Sequence, residues 1–152
     1  MRNYLVYSGT IGWEPDSFPS GFYPEDLPED WRLSFYNTQF RCVYLPFHVW
    51  HKATAEMVNT WLNECDAEFC FVLGLPEAGN TGIDERVKQF GRRGRLEDRA
   101  NLAWVTSQTS LRELASRIAE AAKNHQELFI IAPWGQLTQL RQVSELMAVM
   151  GV

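Results

Sequence analysis

The feature that most constrains the fold is an alternation of short apolar runs with segments of helical character. Residues 69–73 and 128–132 are apolar on both faces, as strands of a covered parallel sheet must be. Between such runs, apolar residues recur at helical spacing, as in Met57, Val58 and Trp61. This alternation predicts an α/β fold with a parallel sheet and right-handed crossovers. The predicted strands are residues 4–8, 42–45, 69–73, 102–106 and 128–132.

Capping signals place the helices between these strands. Pro28 with acidic residues after it predicts a first helix over about residues 28–38. Thr54 is expected to cap the second helix, and Ser110 to open a capping box with Glu113. The last helix is expected to begin near Leu137.

Residues 77–100 interrupt the alternation. Several glycines break this segment, and it contains a basic run at residues 92–99. We interpret residues 77–100 as a linker or mobile loop. The basic run is expected to be a solvated loop, since no interleaved aromatic residue supports base stacking. An alternative is that it pairs with the acidic residues 25–30 of a neighbouring subunit.

Composition narrows the class of protein and its compartment. The 152 residues are 45% apolar and 22% charged, which is typical of a single globular domain. A net charge of −5 argues against a general nucleic-acid partner. No apolar run is long enough for a membrane span or a signal-peptide core. The 3 cysteines are odd in number, which favours a reducing compartment, and we expect a cytoplasmic protein without a membrane partner.

Motifs in the first half resemble a known family. Residues 9–13 (Gly-Thr-Ile-Gly-Trp), 21–24 (Gly-Phe-Tyr-Pro) and 33–36 (Leu-Ser-Phe-Tyr) resemble the opening of the YecE-like family, domain of unknown function 72. That family has a (β/α)8 barrel, a fold that takes about 250 residues. The resemblance therefore implies a single truncated domain over residues 1–152, with the deletion junction at 77–100. It implies a partial (β/α) barrel of about five parallel strands with outer helices and the sheet order 4-5-1-2-3.

The resemblance also implies that this chain has lost most polar residues at the strand ends. Catalytic groups of barrels lie at the carboxyl ends of strands. Apolar or small residues occupy five such places where the family has polar ones, so no catalytic residue is assigned. These residues are Ile11, Tyr44, Pro46, Gly74 and the pair Ala132-Pro133.

Residues that bear metal-binding or nucleophilic chemistry have simpler interpretations. His48 and His51 lack a cysteine pair at zinc-ligand spacing, and in an extended segment they would point to opposite faces. Cys65 and Cys70 lie in apolar patterns and are expected to pack as small hydrophobic residues. We therefore predict no metal and no cofactor.

The tryptophans and one helix start supply the candidate ligand-binding residues. Trp13, Trp50 and Trp134 each follow a strand and are expected to form an interface, an apolar pocket or the filling of a barrel mouth. Trp31 and Trp61 lie on helix faces and are expected in the core. The turn before Gln136 offers backbone amides to an anion, or is an ordinary turn. The candidate ligand-binding residues are Thr10, Trp13, Tyr23, His48, Trp50, Trp134 and Gln136.

These observations favour a non-catalytic, oligomeric binding or scaffolding module. The alternative is a small-molecule enzyme with its site at the carboxyl ends of the strands, completed by a second subunit. Self-association as a two-fold dimer is expected because five strands cannot close a barrel. The third and fourth strands would then be edges and the concave face would be exposed, unless residues 77–100 fold over it.

Overall fold

The computed structural model describes residues 5–14, 21–76, 83–133 and 136–152, and shows a curled parallel sheet with helices on its outer side. Within these residues the sheet has six strands in the order β4-β3-β2-β1-β6-β5, and every neighbouring pair is parallel. The strands are β1 (Val6–Ile11), β2 (Cys42–Leu45), β3 (Cys70–Leu73), β4 (Gly94–Leu96), β5 (Leu102–Trp104) and β6 (Leu128–Ala132).

Helices follow most of the strands along the chain. The α-helices are α1 (Arg32–Gln39), α2 (Phe47–Trp50), α3 (Ala55–Glu64), α4 (Ile83–Lys88), α5 (Leu111–Lys123) and α6 (Leu137–Met150). Single 3-10 turns span Glu29–Trp31, Gly91–Arg93 and Arg99–Asn101. No helix in the described part of the chain is both long and apolar enough to cross a bilayer.

The predicted α/β class is confirmed, whereas the strand count and the full order are corrected. The five predicted strands keep their expected neighbours, with β1 between β2 and β6. A sixth strand, β4, adds to the free side of β3 with Val72 opposite Arg95. The third predicted strand is therefore not an edge. In the described sheet the edges are β4 and β5.

The interpretation of residues 77–100 as a linker is wrong for residues 83–100. Helix α4, two 3-10 turns and strand β4 lie there. Tertiary contacts hold these elements in place. Arg93 donates hydrogen bonds to the carbonyl oxygens of Leu62 and Asp66, both at 2.7 Å, and so caps the end of α3. Residues 77–82 lie outside the described residues.

The helix starts follow the expected capping chemistry. Thr54 accepts a hydrogen bond from the Met57 N–H, and Ser110 accepts one from the Glu113 N–H. The first predicted helix is a 3-10 turn that continues into α1. Residues 47–50 are helical rather than extended. Pro46, at φ −57°, stands directly before this helix, where its missing N–H is not needed.

The sheet has two different apolar faces. Its outer face packs on the helices through alternate strand residues such as Val43, Phe71 and Ile130. Its concave face holds a second cluster formed by strand residues alone. These are Tyr7, Cys42, Cys70, Val72, Leu102, Phe129 and Ile131, all buried, with Ile11 and Tyr44 packed against them.

Two contacts across the concave face show that the sheet curls into a half-barrel. The rings of Tyr44 on β2 and Trp104 on β5 are 5.0 Å apart although two strands separate β2 from β5. Arg95 on β4 forms a two-pronged ion pair with Glu127, next to β6, at 2.8 and 3.1 Å. The expectation that a monomer exposes its concave side chains is therefore wrong for the clustered residues, which are buried within one chain, although Trp104 is 42% exposed. Arg95, which lies in the 83–101 segment, helps to close the face.

Candidate functional site

A cavity of about 480 Å³ opens at the carboxyl ends of β1 and β2. Its walls come from the turn after β1, the short helix α2 and residues 57 and 61 of α3. Most of its lining is apolar, and its titratable residues are Glu14 and His48. The full lining is Ile11, Gly12, Trp13, Glu14, Leu45, Pro46, His48, Val49, Met57 and Trp61.

The turn after β1 is fixed by hydrogen bonds from two predicted site residues. The buried Thr10 hydroxyl donates to the Gly12 carbonyl oxygen at 2.8 Å. Gly12 has φ +68°, which glycine adopts at little cost. The Tyr23 hydroxyl donates to the Trp13 carbonyl oxygen. Burial, and then the nearby Glu14 carboxylate, raise the pKa of Tyr23, so its donor proton is retained.

Two indole rings form one wall of the cavity. The ring centroids of Trp13 and Trp61 are 5.2 Å apart and the planes meet at 82°, an edge-to-face arrangement. Trp61 also packs near Phe90, which is buried in the core. The pair is therefore anchored to the core on one side and faces the cavity on the other.

Helix α2 supplies the opposite rim. Val49 is 38% exposed, and His48 is exposed beside it. Trp50 points the other way: it is 1% exposed and its indole N–H donates to the Gly74 carbonyl oxygen at 2.9 Å. Trp50, predicted as a ligand-binding residue, lies in the core and does not line the cavity.

The structure places His48 on a short helix and His51 directly after it, and the described part of the chain brings no third metal ligand to them. One helical turn puts residues three apart on a similar side, so the extended geometry that we expected is wrong. His51 stacks on Phe47 with ring centroids 4.6 Å apart. Within the described ranges no three His, Cys, Asp or Glu side chains are grouped as a metal site would require.

The other predicted site residues are not brought to this cavity. Trp134 lies outside the described residues. Gln136 precedes α6, and its backbone N–H donates to the Pro133 carbonyl oxygen at 3.2 Å, as in an ordinary turn. The anion site at this helix start stays a prediction.

The three cysteines are free thiols held in neutral form. Cys42 and Cys70 are buried and face each other in register on β2 and β3. Burial raises the pKa of all three thiols, to about 12 for Cys65. A raised pKa disfavours the nucleophilic thiolate, which agrees with thiols that pack as small apolar groups.

The prediction that the basic run at residues 92–99 is a solvated loop is wrong for two of its arginines. Arg93 caps α3, and Arg95 pairs with Glu127 on the concave side. Before the run, Arg86 donates to the Ala53 carbonyl oxygen at 2.7 Å. Each of these three guanidinium groups binds oxygen atoms of another part of the chain, and so contributes to the fold.

Sequence reasoning missed part of the cavity wall and misplaced one tryptophan. Trp61 was expected in the core, and although it packs on the core it also lines the cavity with Met57. The signal was available, because residues 57 and 61 are four apart on one helix face. Trp31 was also expected in the core but is 62% exposed. It ends a 3-10 turn ahead of α1, where the helical spacing that placed it inward does not apply.

Comparison with known proteins identifies a family without an assigned activity. The sequence model of a family described as "Protein of unknown function DUF72" matches residues 7–89. A crystal structure of a DUF72 family protein from Thermotoga maritima aligns with 86% of this chain at 19% identity and a TM-score of 0.44. The chain spans 56% of that protein's length. No curated protein matches the sequence.

Proposed function

The chain belongs to the DUF72 family, and we propose that this member is a non-catalytic module that binds a small molecule in the carboxyl-end cavity. The observation that carries the proposal is the cavity itself. Its volume of about 480 Å³ lies within the range of roughly 300–1,000 Å³ typical of small-molecule sites. It also lies beyond the carboxyl ends of parallel strands, where α/β proteins place their ligands.

The chemistry of the lining favours binding over catalysis. A general acid or base works best in a site that excludes water and holds the side chain within reach of the reacting atom. Among the described lining residues, the titratable ones are Glu14 and His48, and both are exposed. Apart from Gly12, the rest of the lining is apolar or aromatic. The fitting ligand has an apolar body the size of one or two rings and a polar end near the rim.

Calorimetric titration with naphthylethanol tests the proposal. The expected dissociation constant is below about 1 mM, as a ligand of this size in an apolar pocket should reach. Val49→Trp fills the cavity and should weaken binding at least ten-fold. Val149→Trp is the matched control, since Val149 is 85% exposed on α6 and should leave affinity unchanged. Equal affinity in all three proteins would place the ligand elsewhere.

The enzyme alternative is favoured by one observation, that His48 and Glu14 line the same cavity. It requires these side chains to move a proton on a bound molecule. His48→Gln and Glu14→Gln should then abolish turnover of that molecule while leaving its binding measurable. Under our proposal, neither residue is needed for the naphthylethanol complex to form.

We also propose self-association through the β5 edge. In the described sheet β5 is paired on one side by β6, and Trp104 on it is 42% exposed. Two such edges related by a two-fold axis present the same backbone groups to each other. Light scattering at micromolar concentration should give about twice the 17.6 kDa chain mass. A single species at the chain mass contradicts the dimer and does not affect the ligand proposal.

A further inference from the structure

We propose that the ligand of this cavity is an organic cation: an apolar body lies against Trp13 and Trp61, and an ammonium group lies at the rim beside Glu14. This inference rests on the proposed function and adds the chemical class of the ligand. It comes from the relation between the apolar cavity and a second concavity that adjoins it.

The second concavity has a volume of about 250 Å³ and shares four lining residues with the first. The shared residues are Trp13, Glu14, Met57 and Trp61. A molecule that fills the apolar cavity and extends past the indole pair therefore enters the second concavity. The two spaces have different chemistry, because half of the residues that line the second are charged.

The charges of the second concavity are unbalanced. Its remaining ionisable lining consists of Glu29, Asp30, Arg32 and Glu64, so with Glu14 four carboxylates meet one guanidinium. The ion pairs of Arg32 are long, 3.9 Å to Glu14 and 3.8 Å to Glu29, compared with the 2.8 Å of a close charge-assisted contact such as Arg95 to Glu127. Arg32 therefore leaves most of the negative charge uncompensated.

The state of Glu64 is consistent with this excess of negative charge. Burial, and then repulsion from Asp30, raise the pKa of the Glu64 carboxyl group. A bound cation would relieve that repulsion, whereas a bound anion would increase it. The charge of the rim thus discriminates among ligands that have the same apolar body.

The indole pair favours the same sign of charge. Trp provides the strongest cation–π attraction of the aromatic side chains, and the two rings here stand nearly perpendicular. An ammonium group is attracted by the negative face of an indole ring and not by its positive edge, so the cation approaches a face of Trp13 or Trp61. Met57, 46% exposed, adds a polarisable contact for the alkyl part of the ligand.

A charge series on one apolar body tests the inference. Naphthylethylammonium, naphthylethanol and naphthylpropanoate are titrated into the protein by calorimetry at low salt. We expect the ammonium compound to bind at least ten-fold more tightly than the alcohol, and the propanoate to bind least tightly. Raising the salt concentration should reduce the preference for the cation, because rim charges are screened.

A pair of variants connects the preference to the rim. Glu14→Gln should lower the affinity for naphthylethylammonium three- to ten-fold and lower the affinity for naphthylethanol by a clearly smaller factor. Glu145→Gln, an exposed acid on α6, should change neither. Equal affinity for all three compounds would overturn the cation preference and leave the binding site standing. Absence of binding by all three would contradict both this inference and the proposed function.

Discussion

The phenolic oxygen of Tyr36 lies 2.7 Å from the backbone nitrogen of Thr10 and accepts its hydrogen bond. The same hydroxyl donates to the Cys42 carbonyl oxygen, also at 2.7 Å, so one buried side chain of α1 bridges β1 and β2. Two residues after Thr10, the backbone N–H of Gly12 donates directly to the Tyr44 carbonyl oxygen at 2.9 Å. The bridge sets the ends of the two strands from which the cavity opens.

Removal of this hydroxyl should destabilise the fold without reshaping the core. In Tyr36→Phe, a buried N–H and a buried carbonyl lose a shared partner, which should cost about 1–3 kcal/mol in the free energy of unfolding. Urea denaturation measures the change, and its slope should stay the same. Tyr44→Phe is the comparison variant. The Tyr44 hydroxyl is only half-buried and donates to the Glu97 carboxylate at 2.7 Å, so water can replace this hydrogen bond and the loss of stability should be smaller. An equal or smaller loss for Tyr36→Phe would contradict the bridge.

The same bridge requires a glycine at position 9. A Cβ at Gly9 would lie 1.9 Å from the Cys42 carbonyl oxygen and 2.8 Å from the Tyr36 hydroxyl. Gly9→Ala should therefore cost about 3 kcal/mol or more, since the clash is with backbone. Gly12→Ala meets no atom within 4 Å and suffers only from its positive φ, at a cost of about 1–2 kcal/mol. Urea denaturation of both variants measures the two losses. A larger loss for Gly12→Ala than for Gly9→Ala would show that β1 and β2 can move apart to admit a side chain.

Closure of the concave face should depend on the Arg95–Glu127 pair. Both side chains are about 30% exposed, 32% and 29%, and the contact is two-pronged. A double-mutant cycle with Arg95→Met and Glu127→Gln should give a coupling of about 1 kcal/mol. The exposed pair Lys88–Glu85, at 3.7 Å, should give a coupling near zero. If the two cycles agree, the pair does not contribute to closure.

Alkaline pH should reveal the buried state of Cys65. Burial raises the pKa of the Cys65 thiol from 9.0 to about 12. The neutral thiol therefore contributes to the free energy of unfolding in full below about pH 9, and this contribution is lost as the pH rises toward 12. The stability difference between wild type and Cys65→Ala should therefore shrink by roughly 1–2 kcal/mol between pH 7 and about pH 10.5. Urea denaturation at both pH values measures it. A difference independent of pH would mean that the thiol titrates as in the unfolded chain.

Most of the sheet could be predicted because each central strand can be identified from its own residues, without knowledge of its tertiary contacts. Residues 128–132 are apolar at every position, so a parallel, doubly covered strand is the solution that buries all of them. Strand β4 could not be predicted in this way. Its three residues include Gly94 and Arg95, and it becomes a strand only because β3 offers unpaired backbone groups beside it. That stabilisation is tertiary and leaves no periodic signal.

The cavity was only partly predictable for a similar reason. Trp13 follows a strand and could be expected at the carboxyl end of the sheet. Trp61 lies on a helix face that meets the core over part of its width and the cavity over the rest. Helical periodicity identifies such a face but does not divide it between core and cavity. The position of α2, and with it His48 and Val49, depends on a helix of four residues that is too short for any periodicity.

The most direct test of the ligand site is an NMR titration that follows the indole N–H resonances, assigned by single Trp→Phe substitutions. On addition of naphthylethylammonium, the resonances of Trp13 and Trp61 should shift together in proportion to occupancy. The resonance of Trp50 should remain in place, since its N–H is bonded to Gly74 in the core, and so should that of Trp104 on β5. Unmoved Trp13 and Trp61 signals at saturating ligand, or shifts concentrated at Trp31 or Trp104, would contradict the assignment of the carboxyl-end cavity as the binding site.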